Sequence, residues 1–339
     1  MYQIIIGYEE KDLYEKTPFD YMSLYQEGGK RTPASLTTTM EAAKEADPKE
    51  FNYLAPDGIT SSYYDAVHYD YYLVRGFAVA MACGIGTLGS EGFELCGMDL
   101  ERDSHKCVVE WLAGNRKAYT DKTQNIEIKA DWSNGNVAMT GCSYGGTMVY
   151  ETATTGVEGL KTVIPVAGIA SWYDYTNSQG APLWLDVSYT SYLASSNCGG
   201  VFLDDEFTRL KSGYGSYLWQ VAQDEDRSNG DYTYIWEQKD YSDDYEDINC
   251  SALIVQGLND FNVTTRNADL MMRAFEQAGK PAKLVLHQEG HVMLESRMVN
   301  GELWDETVNK WFSHYLYDVD NGIENMAEVT VQSNLDGSE

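Results

Sequence analysis

The stretch that most constrains this chain runs from Asn136 to Gly146, NVAMTGCSYGG. Apolar residues alternate into Gly141, and Gly-x-Ser-x-Gly follows at Gly141, Ser143 and Gly145. Thr147-Met-Val-Tyr-Glu-Thr-Ala-Thr then reads as a helix. Strand, tight turn and helix form the setting of a nucleophile elbow, where only glycine leaves room on either side of the serine. Such a turn pushes Ser143 Oγ out past the sheet edge and puts the Tyr144 amide at a helix N-terminus, aimed at an incoming oxyanion. A glycine-serine turn also arises by chance in a chain with 30 glycines, so the order of acids and histidines has to decide.

The flanking segments supply a sheet for the elbow. Tyr2-Gln-Ile-Ile-Ile-Gly reads as a buried strand closed by Gly7-Tyr8, and Gly76-Phe-Ala-Val-Ala-Met-Ala-Cys-Gly fits a central parallel strand buried on both faces. Thr162 to Gly168, Ala252 to Gly257 and Lys283 to His287 are further short apolar runs. Helical periodicity covers Glu101 to Ala113, about Thr265 to Ala278, and Glu302 to Tyr317. Alternating strands and helices predict a doubly wound, mostly parallel sheet. From about Ser178 to Asp247 the strand period is lost and helical pieces appear at Phe207-Thr-Arg-Leu-Lys and Tyr217-Leu-Trp-Gln-Val-Ala. That segment reads as an inserted helical cap. The expected division is a core of 1–177 plus 248–317, a cap of 178–247 and a polar tail of 318–339. The strongly polar 9–65 region has no clear assignment.

Composition bounds the partners. A chain of 339 residues with 43% hydrophobic content can bury one sizeable core. A formal net charge of −29 argues against nucleic acid and anionic membrane; it serves solubility, or draws in a cationic substrate. No apolar stretch approaches the roughly 18 residues of a membrane span, and no signal peptide opens the chain. Cysteines at 83, 96, 107, 142, 198 and 250 form no Cys-x-x-Cys pair, so free thiols, a cytoplasmic setting and no metal are expected. The loop from Gly84 to Phe93 lacks Gly-Lys-Ser/Thr and reads as a plain strand-to-helix connection, so no cofactor is expected.

A serine needs a base and the base needs an orienting carboxylate. Of the five histidines, His68 precedes the sheet, His105 and His314 fall in helices, and His287 lies within a strand. His291, in Glu289-Gly-His-Val-Met, sits in a loop just past a strand. Asp260 follows the strand that ends at Gly257, and its neighbour Asn259 lacks the charge the role requires. Each residue alone has a bland structural reading, as a loop histidine and a loop-capping aspartate. Together Ser143, Asp260 and His291 fall at three successive strand ends, in the chain order of α/β-hydrolases.

Trp132 to Met148, Ala153-Thr-Thr-Gly-Val-Glu-Gly-Leu and Ala167-Gly-Ile-Ala-Ser-Trp-Tyr-Asp-Tyr together resemble the Xaa-Pro dipeptidyl-peptidases of the bacterial S15 serine peptidase family. Arg75-Gly-Phe-Ala, Gly84-Ile-Gly-Thr and Gly257-Leu-Asn-Asp-Phe-Asn-Val-Thr fit the same pattern, so the likeness runs from about Tyr71 to His291. The resemblance implies an α/β-hydrolase fold and release of N-terminal Xaa-Pro dipeptides through an acyl-enzyme. Ser143 would be the nucleophile, His291 the base and Asp260 its orienter. The oxyanion hole would combine the Tyr144 amide with a tyrosine hydroxyl from an early strand, for which Tyr8 is the positional candidate. Trp172 and Tyr175 match residues lining the proline pocket, Asn262 matches one near the substrate's amino end, and Asp186 is the choice for the carboxylate that binds the free amine. Family members are longer, with a helical N-terminal domain, a C-terminal β-sandwich and a homodimer in the full-length protein. The expectation is therefore a catalytic domain alone. Two other readings stay open: an ester or amide acylase on the same triad, and a non-catalytic binding protein on this scaffold.

Overall fold

Side chains of successive strand residues point to opposite faces, and in this protein both faces are apolar. The computed structural model describes residues 2–8, 72, 76–82, 84–86, 90, 92, 94–121, 123–183, 189–199, 205–226, 228–291, 294, 298–299 and 301–335. Among these, seven strands form the main sheet: β1 (Tyr2–Tyr8), β2 (Phe77–Ala82), β3 (Ser133–Cys142), β4 (Leu160–Val166), β5 (Ser251–Gly257), β6 (Ala282–His287) and β7 (Val329–Val331). Their order across the sheet is β7-β6-β5-β4-β3-β1-β2. Strands β3 to β7 are parallel throughout.

Alternation sorts the core into two halves. Val137 and Met139 of β3, Val163 of β4, and Ala252 and Ile254 of β5 face one cluster. It is completed by α1 (Asp99–Leu112), α2 (Tyr144–Ala153) and α6 (Thr265–Gln277) through Val109, Val149, Tyr150, Met271 and Phe275. The intervening residues Ala138, Ile164, Leu253 and Val255 face the other side, where α7 (Trp304–Tyr317) lays down Trp304, Val308, Trp311, Phe312 and Leu316. Burial on both faces is what a parallel sheet demands, and each such side chain is worth about 1.5–3 kcal/mol against exposure.

Two expectations are corrected. First, β2, expected as a central parallel strand, stands last in the strand order and pairs antiparallel with β1, which is itself antiparallel to β3. Second, the segment from 318 is not a free polar tail in its described part: Ile323 and Met326 are buried, and Val329–Val331 adds the parallel edge strand β7 beside β6. A three-residue strand is too short to show a period, which is why it hides in a polar sequence.

Between β4 and β5 the chain forms α3 (Trp172–Thr176), α4 (Tyr189–Gly199) and α5 (Asp205–Asp224), with a single helical turn at Tyr234–Glu237. Within 178–247 no described residue joins the main sheet. A wholly buried ion pair ties this insertion together. Lys239 Nζ lies 2.9 Å from Glu225 Oε1, both side chains have 0% exposure, and Thr190 of α4 donates its hydroxyl to the same carboxylate at 2.6 Å. No helix among the described residues is long and apolar enough to cross a membrane.

Candidate active site

The sharp turn at Ser143 is built by its glycines. A Cβ on Gly141 would stand 2.7 Å from the backbone of Gly145, so the strand can fold back onto its own helix only with glycine there. Ser143 takes φ 60° and ψ −125°, a conformation that costs a non-glycine residue roughly 1–3 kcal/mol. It is held by the Ser143 amide donating to the Val166 carbonyl at 2.9 Å and by Thr147 N–H closing the first helical turn onto Ser143 O at 2.9 Å. The helix thus begins at Tyr144, whose amide is one of the first N–H groups without an intrahelical acceptor.

The other two candidates come to the same edge. Parallel strands share a carboxyl edge, and Ser143 follows β3, Asp260 follows β5 and His291 follows β6. The two loops are pressed together at Gly257, where a Cβ would strike the carbonyl oxygens of Glu289 and Gly290. Leu258 N–H donates to His287 O at 2.7 Å and Asn259 N–H to Glu289 O at 3.3 Å. As a result His291 Nδ1 lies 2.7 Å from Asp260 Oδ2. The aspartate side chain has no exposure. Its other oxygen accepts the amides of Asn262 and Val263, both at 2.9 Å, and Gln256 Nε2 donates to Oδ2 at 3.2 Å. An aspartate oriented this firmly fixes the imidazole with Nδ1 protonated and Nε2 as the basic nitrogen. His291 Nε2 is buried and has no hydrogen-bond partner among the described residues, so the Ser143–His291 bond is not formed here. The other described histidines do not compete: His287 is buried in β6 with Nδ1 accepting the Glu289 amide, His105 is buried in α1, and His314 Nδ1 lies 3.0 Å from Val319 O.

An aromatic wall stands beside the elbow. Tyr144 packs edge-on against Trp172, and Trp172 edge-on against Tyr175, with ring centroids 5.6 Å apart in each pair. Tyr175 hydroxyl donates to Asn262 Oδ1 at 2.8 Å and lies 3.4 Å from the Tyr189 hydroxyl, which brings α3, the Asp260 loop and α4 together. Trp172, expected to line the pocket, has no exposed surface; its indole N–H donates to Tyr241 Oη at 3.0 Å. It backs the wall. A cavity of about 510 Å³ is lined by residues including Tyr173, Asp174, Asn177 and Arg266, and none of the described candidate residues lines it.

Tyr8 is corrected. Because β1 runs antiparallel to β3, its last residue pairs with Ser133, at the start of β3. Ten residues of strand, about 30 Å, then separate Tyr8 from Ser143. The expectation rested on Tyr8 ending an early strand, and the reversal of that strand carries its end to the opposite edge of the sheet. Asp186 lies outside the described residues.

Sequence reasoning missed the polar residues beneath the elbow. Glu101 and His105 share the buried face of α1 with Val109 and Leu112, a spacing of four, four and three. Two ionisable residues in an apolar helical stripe were the available signal. Glu151, on α2, is also wholly buried. Tyr241 Oη is within 2.9 Å of Glu151 Oε1. Burial, then the neighbouring charge of Glu151, pushes the Glu101 carboxyl up to about 7. Burial pushes Glu151 up to about 8 and pulls His105 down to about 4. Among the described residues no group of three or more His, Cys, Asp or Glu could hold a metal ion.

Sheet order, elbow and edge placement define an α/β-hydrolase. The particular family follows from sequence: the model of the X-Pro dipeptidyl-peptidase (S15) family matches residues 13–293, and the chain belongs to that family. It is 39% identical over 272 residues to the Xaa-Pro dipeptidyl-peptidase of Pediococcus pentosaceus, which covers 79% of this chain and 33% of that protein. It is 36% identical over 304 residues to the enzyme of the same name from Lactiplantibacillus plantarum, covering 88% of this chain and 36% of that one. The chain thus spans about a third of the length of these relatives. Among solved structures, a CocE/NonD family hydrolase from Staphylococcus aureus superposes with a TM-score of 0.54 at 18% identity, over 75% of this chain and 39% of the other. An aminopeptidase from a Thaumarchaeota archaeon gives 0.51 at 18%, over 78% and 47%. These two likenesses speak to the fold.

Proposed function

We propose that this chain carries the catalytic centre of a serine exopeptidase that releases Xaa-Pro dipeptides from peptides with a free N-terminus. Ser143 Oγ attacks the carbonyl carbon of the proline residue while His291 Nε2 takes its proton. Asp260 holds Nδ1–H and stabilises the imidazolium. The Tyr144 amide donates to the tetrahedral oxyanion, and His291 returns its proton to the leaving amine. Water then attacks the acyl-enzyme through the same base. The observation that carries this reading is the Asp260–His291 pair at 2.7 Å, on the same sheet edge as a serine held in a strained turn. Family membership supports the Xaa-Pro specificity, and the wall of Tyr144 and Tyr175 offers flat faces to a pyrrolidine ring. The reading includes the 178–247 segment as a cap over the site and a cytoplasmic setting, in keeping with the free thiols of Cys96, Cys107 and Cys250.

The test is hydrolysis of Gly-Pro-p-nitroanilide beside its N-acetylated copy and p-nitrophenyl butyrate, with Ser143→Ala as control. Cleavage of the free-amine substrate alone, abolished by the substitution, is the expected result. Ester cleavage without Gly-Pro release would replace the peptidase with an acylase. A folded chain that neither cleaves nor takes a fluorophosphonate label at Ser143 would remove catalysis altogether.

A further inference from the structure

The elbow residue Tyr144 has two ends. Its amide belongs to the oxyanion side, and its hydroxyl reaches down between α1 and α2. There it lies 2.9 Å from Oε1 and 2.8 Å from Oε2 of Glu101, a residue only 1% exposed. The Gly97 amide also donates to Glu101 Oε2, at 2.8 Å. The ring between these ends is packed edge-on by Trp172. Trp172 is itself held through Tyr241, whose hydroxyl reaches the Gly97 carbonyl at 2.8 Å and Glu151 Oε1 at 2.9 Å. Tyr144, Glu101, Gly97, Tyr241 and Trp172 therefore form a closed ring of contacts. Burying a carboxylate beside a second acid is costly, and an apolar residue would fill the α1–α2 contact at less expense. What the acid adds is a two-oxygen grip on one hydroxyl.

The geometry points to Glu101 as a positioning residue for the Ser143 reaction: by gripping the Tyr144 hydroxyl with both oxygens it fixes the residue whose amide meets the oxyanion and whose ring forms the pocket wall. The strained turn at Ser143 would relax by rotation of the peptide that follows it, and a clamp on the next side chain opposes that rotation. Glu101 does not touch substrate and acts only through Tyr144. Its other neighbours are structural: Glu151 of α2, and His105 one turn along α1. This inference rests on the serine-hydrolase reading above.

The test is a double-mutant cycle with Glu101→Gln, Tyr144→Phe and the double variant, assayed on Gly-Pro-p-nitroanilide at about pH 8, where Glu101 is mostly ionised. Rates are normalised to sites titrated by a fluorophosphonate burst, so that partly unfolded protein does not count. An amide keeps the shape but cannot accept with both atoms. Glu101→Gln is expected to lower kcat about 10-fold with KM within twofold, as for an interaction expressed in the transition state. Tyr144→Phe should do the same, and the double variant should be no worse than either single one. Independent, multiplying losses, or an unchanged kcat in Glu101→Gln, would overturn the positioning role. Absence of titratable sites in the unsubstituted chain would instead sink the hydrolase reading itself. Glu101→Asp, which keeps the charge on a shorter arm, should recover less than half of the lost rate; full recovery would mean that charge, not grip, is what matters.

Discussion

Two buried acids under the elbow make folding stability depend on pH in an unusual direction. An unfolded glutamate titrates near 4.5, whereas Glu101 and Glu151 hold their protons to about 7 and about 8 in the fold. A group raised in this way contributes stability that is complete below its unfolded value and is lost as pH climbs through its folded value. His105 works in the opposite sense. Lowered from 6.5 to about 4, it contributes stability above 6.5 that disappears as pH falls. Between about pH 6 and about pH 7.5 the two acids retain protons the unfolded chain has given up. At about 1.4 kcal/mol per proton and pH unit, and allowing for the opposing histidine, stability should drop by about 2 kcal/mol across that window. Urea unfolding followed by tryptophan fluorescence at several pH values reads this directly. Glu151→Gln keeps an acceptor for Tyr241 and removes both a proton site and the charge that helps raise Glu101. It should flatten the slope by more than half and stabilise the fold near pH 8. An unsubstituted chain whose stability is level or rises from about pH 6 to about pH 7.5 would refute protonation of this pair.

Gly257→Ala should push the Glu289–Gly290 backbone away and lengthen the Asp260–His291 contact. We expect kcat on Gly-Pro-p-nitroanilide to fall at least 100-fold with stability reduced by only about 1–3 kcal/mol, and a fully active variant would show that the close approach is dispensable. Lys239→Ala would leave the Glu225 carboxylate buried with Thr190 as its remaining side-chain partner and should cost about 3–5 kcal/mol, whereas Lys239→Met combined with Glu225→Gln should recover most of it; thermal unfolding compares the two.

What could be read in the sequence were features with a local period or a motif. The elbow, β2, β4, β5, β6 and the three long helices around the sheet lie within a few residues of expectation because each is an apolar pattern at period two or 3.6. Asp260 and His291 were visible because a parallel sheet brings successive strand ends to one edge. Strand direction leaves no trace in a period-two pattern, so the reversal of β1, and with it the misplacement of Tyr8, could not be seen. The β7 strand was too short for any periodicity. Gln332, the residue after it, nevertheless accepts the Gln288 amide through its side chain at 3.0 Å, three residues before His291, so the supposed tail braces the loop that carries His291. The acids beneath the elbow carry only a weak signal, Glu101 and His105 within the apolar stripe of α1, and their contact with α2 shows only once the two helices are placed face to face.

Trp172 and Tyr175 looked interchangeable as pocket aromatics, and the structure separates them. Trp172 has no exposed surface, and the insertion holds it twice: its amide donates to Lys239 O at 3.0 Å and its indole to Tyr241 Oη at 3.0 Å. Tyr175 is 5% exposed and reaches toward the Asp260 loop through Asn262. Trp172→Phe should therefore act mainly through the fold. It opens a cavity and leaves the Tyr241 oxygen without its donor, for about 2–4 kcal/mol of lost stability, while KM of the surviving protein stays within about twofold. Tyr175→Phe frees Asn262, which the proposed reading sets near the substrate's amino end, and should raise KM for Gly-Pro-p-nitroanilide several-fold with a small change in stability. If Trp172→Phe instead raises KM while melting unchanged, the indole itself must face the substrate, and the wall would have to open by moving Tyr144 or Tyr175 aside.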